Sequence, residues 1–207
     1  NKGGVYSNNS GPWVDTLSIG DCTSHGFSTS AATSGYPVRM SYVLIYDCGG
    51  DAMNMAIGNA NANTSGYLST YTNCTFEGCT GSGGVWTGAF PSNANFYNCI
   101  WSNNGAYGAS VVSGDIADRW RVWNCCFYGN TTAPRNNFPV GVNDITTDPQ
   151  FVDASGDDYA LATGSPCIST GKSPLKSPGK VHIGATIAEV AAAAVSGGPA
   201  LERGLAG

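Results

Sequence analysis

Five cysteines, each preceded by an Asp or Asn, are the residues of this chain whose types and spacing could do chemistry: Asp21-Cys22, Asp47-Cys48, Asn73-Cys74, Asn98-Cys99 and Asn124-Cys125. Thiols beside carboxylates and amides suggest metal ligands or redox pairs. The cysteines are separated by 26, 26, 25 and 26 residues, however. A constant step of that size is wrong for one site and right for a column of stacked equivalents. One more step lands on Gln150-Phe151, a degenerate sixth member with a bulkier apolar plug.

On this reading Cys22, Cys48, Cys74, Cys99 and Cys125 are small apolar fillers of a narrow interior. Parallel neighbours point their side chains the same way, which disfavours disulfides along the column. Cys79, Cys126 and Cys167 lie off it and are the better candidates for bridging, with Cys126 pointing outward from its strand. Asn73, Asn98 and Asn124 form a structural ladder at a sharp bend, because Asn tolerates left-handed backbone and its amides pair along a stack. Asp21 and Asp47 would stand about 5 Å apart, a repulsion of several kcal/mol at an effective dielectric near 20 and under 1 in water. The two are solvated, partly protonated or bridged by a cation; solvation is the default reading, and no cofactor is implied.

Around the cysteines the chain alternates. Three places before each stand Ile19, Ile45, Tyr71, Phe96 and Val122, and two places after the last three stand Phe76, Trp101 and Phe127. Apolar residues at alternate positions are the mark of a strand with one buried face. Gly/Ser/Asn/Pro clusters such as Gly81-Ser82-Gly83-Gly84 and Asn103-Asn104-Gly105 separate the strands as turns of variable length. A unit of about 26 residues with no helical pattern cannot fold alone and must stack on copies of itself. The fold class is therefore all-β: a parallel β-solenoid of about six coils, roughly 25–30 Å long at 4.7–4.9 Å per coil. A propeller blade is longer, and a leucine-rich repeat would show Leu at fixed offsets.

Residues 1–12 read as an N-terminal segment or partial coil, 13–185 as the solenoid, and 186–207 as a tail. That tail carries the short Ala-rich stretch Ile187–Val195, read as a helix of about nine residues, marginal alone and expected to dock on a neighbour or cap an open end. Only 11% of the residues are charged, with 29 Gly and a net charge of −5. No Lys/Arg patch is available to release counterions, so nucleic acid is excluded as a partner. No run reaches the ~18 apolar residues of a membrane span.

Asp148-Pro149-Gln150-Phe151, Gly164-Ser165-Pro166-Cys167 and His182-Ile183-Gly184-Ala185, with the Asn-Cys-x-Phe repeats, resemble right-handed parallel β-helix proteins of the pectate-lyase-like superfamily, including their surface-protein and phage-spike members. The resemblance covers residues 13–185 and implies the fold. Lyases of that group use acidic calcium ligands beside an Arg or Lys base, and its hydrolases use clustered Asp with Gly-His-Gly and Arg-x-Lys. Here Ser24-His25-Gly26 is the nearest approach to the hydrolase motifs. The remaining candidates for acid/base or calcium chemistry are Asp115, Asp118 and Arg119, with Arg121 beside them, and a surface ion-pair patch is the competing reading. His25 and His182 have no metal-ligand spacing. Trp86, Trp101, Tyr107, Trp120 and Trp123 could form a sugar-stacking platform or fill the core. Of the Asn-x-Ser/Thr acceptors, Asn63 and Asn130 sit in turn-like segments and are expected to be accessible to glycosylation, whereas Asn73 is expected to be packed.

The expected function is a non-enzymatic structural or adhesive β-helix on a cell or virion surface, self-associating or joining a larger assembly through its tail, with carbohydrate as a further partner. The alternative is a polysaccharide lyase or glycoside hydrolase.

Overall fold

A computed structural model of the chain describes residues 4–7, 12–29, 37–56, 68–87, 93–112, 120–171 and 183–185. These form a parallel β-solenoid with the winding of a right-handed parallel β-helix. In chain order the strands are β1 (Val5–Ser7), β2 (Trp13–Gly20), β3 (Phe27–Thr29), β4 (Arg39–Tyr46), β5 (Met53–Ala56), β6 (Leu68–Thr72), β7 (Thr75–Glu77), β8 (Gly84–Thr87), β9 (Asn93–Tyr97), β10 (Ile100–Ser102), β11 (Tyr107–Val111), β12 (Trp120–Trp123), β13 (Cys126–Tyr128), β14 (Ala133–Asn136), β15 (Phe151–Asp153) and β16 (Asp158–Leu161). A short 3-10 turn over Ala154–Gly156 joins the last two.

Three faces enclose the core. β6, β9 and β12 make the first, and β7, β10 and β13 the second. The long strands β2 and β4 run across both, so β4 pairs with β6 through its first half and with β7 through its second. β1, β3, β5, β8, β11 and β14 make the third face. The solenoid makes about four turns rather than the six expected, with partial coils at its ends. The expected sixth rung leaves the stack: Gln150 keeps a left-handed φ of 54°, but Phe151 pairs antiparallel with Leu161.

The single column of five cysteines is corrected by the strand register. Each coil has two left-handed bends five positions apart. Thr16, Tyr42, Asn73, Asn98 and Asn124 stack at the bend between the first and second faces, and Asp21, Asp47, Gly78, Asn103 and Gly129 at the bend between the second and third, all with φ between 48° and 63°. The residue after each bend points inward. One column is therefore Leu17, Val43, Cys74, Cys99 and Cys125, and the other is Cys22, Cys48, Cys79, Asn104 and Asn130. The physical reason is length: the step from the second coil to the third is 31 residues, as between Cys48 and Cys79, not 26. Subtracting the five positions between bends reproduces the apparent period, so Cys74 follows Cys48 on time but in the other column. At Gly78 the left-handed backbone coincides with Asp47, whose Oδ1 would lie 2.5 Å from an added Cβ.

Inside, the side chains stack in ladders. Tyr71 lies on Phe96 with ring centroids 4.7 Å apart and planes within 4°. Phe76, Trp101 and Phe127 stack at 5.6 and 4.6 Å. The plug is Phe138, not Phe151. It is buried against Trp86, Phe96, Trp101, Trp120 and Phe127, because the chain after β14 turns back across the open end. Above it, Arg135 lies 3.7 Å over the Phe127 ring and pairs with Asp144. Phe151 instead packs outside the barrel.

From Gln150 the chain runs back along the outside of the second face. Four residues that point out of that face, Leu44, Thr75, Ile100 and Cys126, are fully or nearly fully buried. Cys167 and Ile183 cover Ile100 and Cys126, while Tyr159 and Ala185 join Leu44. Ala185 N donates to Thr75 Oγ1 at 2.9 Å and Gly184 N to the Asn98 carbonyl at 2.6 Å. The cover expected of the tail is thus supplied, over a face rather than an end, by residues 150–171 and 183–185. The expected tail, 186–207, lies outside the described residues. No described helix is long and apolar enough to cross a membrane.

Candidate functional site

The two bends concentrate the polar chemistry of the molecule. At the second, each inward side chain accepts the backbone N–H of the coil before it: Cys79 Sγ from Cys48 N at 3.4 Å, Asn104 Oδ1 from Cys79 N at 3.2 Å, and Asn130 Oδ1 from Asn104 N at 3.2 Å. At the first, Cys125 Sγ accepts from Cys99 N at 3.4 Å and Asp144 Oδ1 from Cys125 N at 3.1 Å. Every column thiol also donates to the carbonyl two residues back, at 3.4 Å from Cys48, Cys74, Cys79, Cys99 and Cys125 and at 3.7 Å from Cys22. Hence Cys, Asn and Asp interchange there: each offers an acceptor where the coil below has a spare donor. Burial pushes the Cys99 thiol well above its ordinary range, and the bond to Cys48 together with burial does the same to Cys79.

The Asn ladder exists at the first bend, where Asn98 Nδ2 donates to Asn73 Oδ1 at 2.9 Å. Among the described residues Asn73 Nδ2 has no partner, since the position before it in the column is Tyr42 rather than an amide. Asn124 Nδ2 turns to the Thr170 carbonyl at 2.8 Å. Asn73 is buried, as expected. Asn130 corrects the expectation of an accessible acceptor. Its Nδ2 is held by the Trp101 carbonyl at 2.9 Å and its Oδ1 by Asn104, because it belongs to the second inward column. Asn63 lies outside the described residues.

Asp115, Asp118 and Arg119 also lie outside the described residues. Arg121 points outward from β12, exposed, with Nη1 bonded to the Trp120 carbonyl at 3.1 Å. His182 is outside the described residues. His25 Nδ1 accepts the Asp51 N–H at 3.0 Å, which requires that nitrogen to be bare, so its proximity to the Asp51 carboxylate is not a charged pair. Trp86, Trp101 and Trp120 are core residues, and Tyr107 is half-buried with its N–H on Ser82 Oγ. Trp123 faces outward, stacked on Tyr97 at 4.7 Å with planes within 4°. The pair stacks ring face on ring face on the outer surface.

A strongly perturbed outward-facing carboxyl is one that sequence reasoning passed over. Glu77 points out of the second face, yet only 4% of it is exposed. Ser102 Oγ donates to its Oε2, and Asn103 Nδ2 donates to Oε1 at 2.8 Å. Asp47, whose Oδ2 takes the Tyr159 hydroxyl at 3.4 Å, and Asp148 add negative potential. Burial first, then these carboxylates, push the Glu77 carboxyl up to about 7 against the two hydrogen bonds. Asp47 is raised as well, by burial, Asp157 and Asp21, with the Tyr159 bond opposing. No group of three or more His, Cys, Asp or Glu among the described residues is arranged to hold a metal ion. The only sequence signal at Glu77 was an acid beside Phe76 in a short strand.

A scan against protein-family models finds no match, and a search of the curated proteins finds no similar protein.

Proposed function

We propose that the chain is a non-enzymatic structural or adhesive β-solenoid, working outside the cell as part of a surface fibre or of a virion decoration or spike. The observation that carries this reading is the outer surface of the first face. There Trp13, Arg39, Thr70, Asn95 and Arg121 form one column and Asp15, Ser41, Thr72, Tyr97 and Trp123 the next, in register across five strands. A flat, mostly neutral surface repeating at the strand spacing suits contact with another extended surface, a neighbouring subunit or a glycan chain. The interior supports the same reading, since stacked ladders and hydrogen-bonded bends suit a rigid spacer. The tail beyond Ala185 is the proposed contact for self-association.

Light scattering of the purified chain, with a polysaccharide panel assayed for new reducing ends and for the ultraviolet absorbance of unsaturated uronates, tests this. Multimers and no turnover are expected. A calcium-dependent absorbance rise on polyuronate, abolished by Asp118→Ala, would replace the reading with that of a polysaccharide lyase.

A further inference from the structure

We propose that Cys126 and Cys167 are a disulfide site that staples the C-terminal segment to the second face. This goes beyond the structural role proposed above and does not depend on it. All eight cysteines are free thiols in this structure. Six of them stand in the two columns, where in-register neighbours point the same way and each sulfur is committed to backbone partners. Cys126 and Cys167 differ in orientation. Cys126 points out of β13, while Cys167 arrives from the covering segment and meets it, so the two approach from opposite sides. A disulfide requires that convergence and a parallel column denies it.

The pair is also enclosed. Cys126 and Cys167 are both fully buried in one apolar cluster with Ile100 and Ile183. Around them the segment is already held, with the Ile183 N–H on the Cys167 carbonyl at 2.9 Å and Cys126 Sγ directed at the Thr147 carbonyl at 3.4 Å.

The oxidant is a small-molecule disulfide such as oxidised glutathione. One protein thiol loses its proton and attacks that disulfide, releasing one glutathione thiol. The second protein thiol then displaces the other glutathione. Two S–H bonds are lost, one protein S–S bond forms, and two glutathione thiols carry away the electrons and protons. Because both sulfurs are buried, the exchange takes place as the segment docks during folding or in its transient openings. A link formed this way would favour an oxidising compartment.

The full chain, refolded from denaturant in a glutathione redox buffer, alkylated and digested without reduction, provides the test. The expected product is a Cys126–Cys167 cross-linked peptide, six alkylated cysteines of the eight, and slower hydrogen exchange over residues 150–171 that reverts on reduction. Cys126→Ser and Cys167→Ser should each leave the remaining seven thiols alkylated. If neither folds, Cys126→Ala and Cys167→Ala serve, since both sites are apolar. Eight alkylated cysteines in the refolded protein, or a cross-link involving any column cysteine, would overturn the proposal.

Discussion

Cys125 shows what a column residue does. Its thiol donates to the Trp123 carbonyl and accepts from the Cys99 N–H, both at 3.4 Å, with no exposed surface. Cys125→Ala removes the acceptor and leaves a buried N–H unpaired, which should cost about 1–3 kcal/mol in denaturant unfolding. Cys125→Ser keeps a donor and an acceptor and should cost less than alanine, whereas a sulfur that merely fills space would make serine the worse choice. Glu77 sets a different dependence. Its carboxyl is raised when folded, so it holds its proton more tightly in the native state than in the unfolded one. Its contribution is complete below the unfolded value of 4.5 and is lost as pH rises to about 7. At about 1.4 kcal/mol per unit the loss is on the order of 3 kcal/mol. Urea midpoints at pH 4.5 and 8 should therefore fall in the wild type and fall much less in Glu77→Gln.

Among the elements, the ends and the outer cover matter most. Phe138 fills the ring-lined mouth of the solenoid, and Phe138→Ala should cost about 3–5 kcal/mol. Phe151, half-buried against Leu161 and Tyr159, should cost clearly less by the same unfolding measurement. Parallel strands, left-handed Asx bends and the absence of helical pattern were all legible in the sequence, because alternation and turn chemistry are local. The column assignment was not. A 31-residue step hid behind five positions between two bends of identical chemistry, and both bends place Asx before Cys. Phe138 was equally hidden, being one Phe after a Pro-Arg-Asn-Asn run with no rung to mark it.

For the molecule as a whole, the sequence also could not reveal that Glu77, Ile100 and Cys126 are covered, since their partners Tyr159, Cys167 and Ile183 lie far along the chain. It carried the low charge and the scarcity of catalytic motifs, which still motivate the structural reading. The arrangement of coils underlies every other assignment made here, from the bends to the outer columns. A double-mutant cycle measures it most directly. In alanine variants, Cys48 and Cys79 should couple by about 0.5 kcal/mol or more, whereas Cys48 and Cys74 should be additive within that margin. Coupling of Cys48 to Cys74 with none to Cys79 would contradict the two-column register and restore a single ladder.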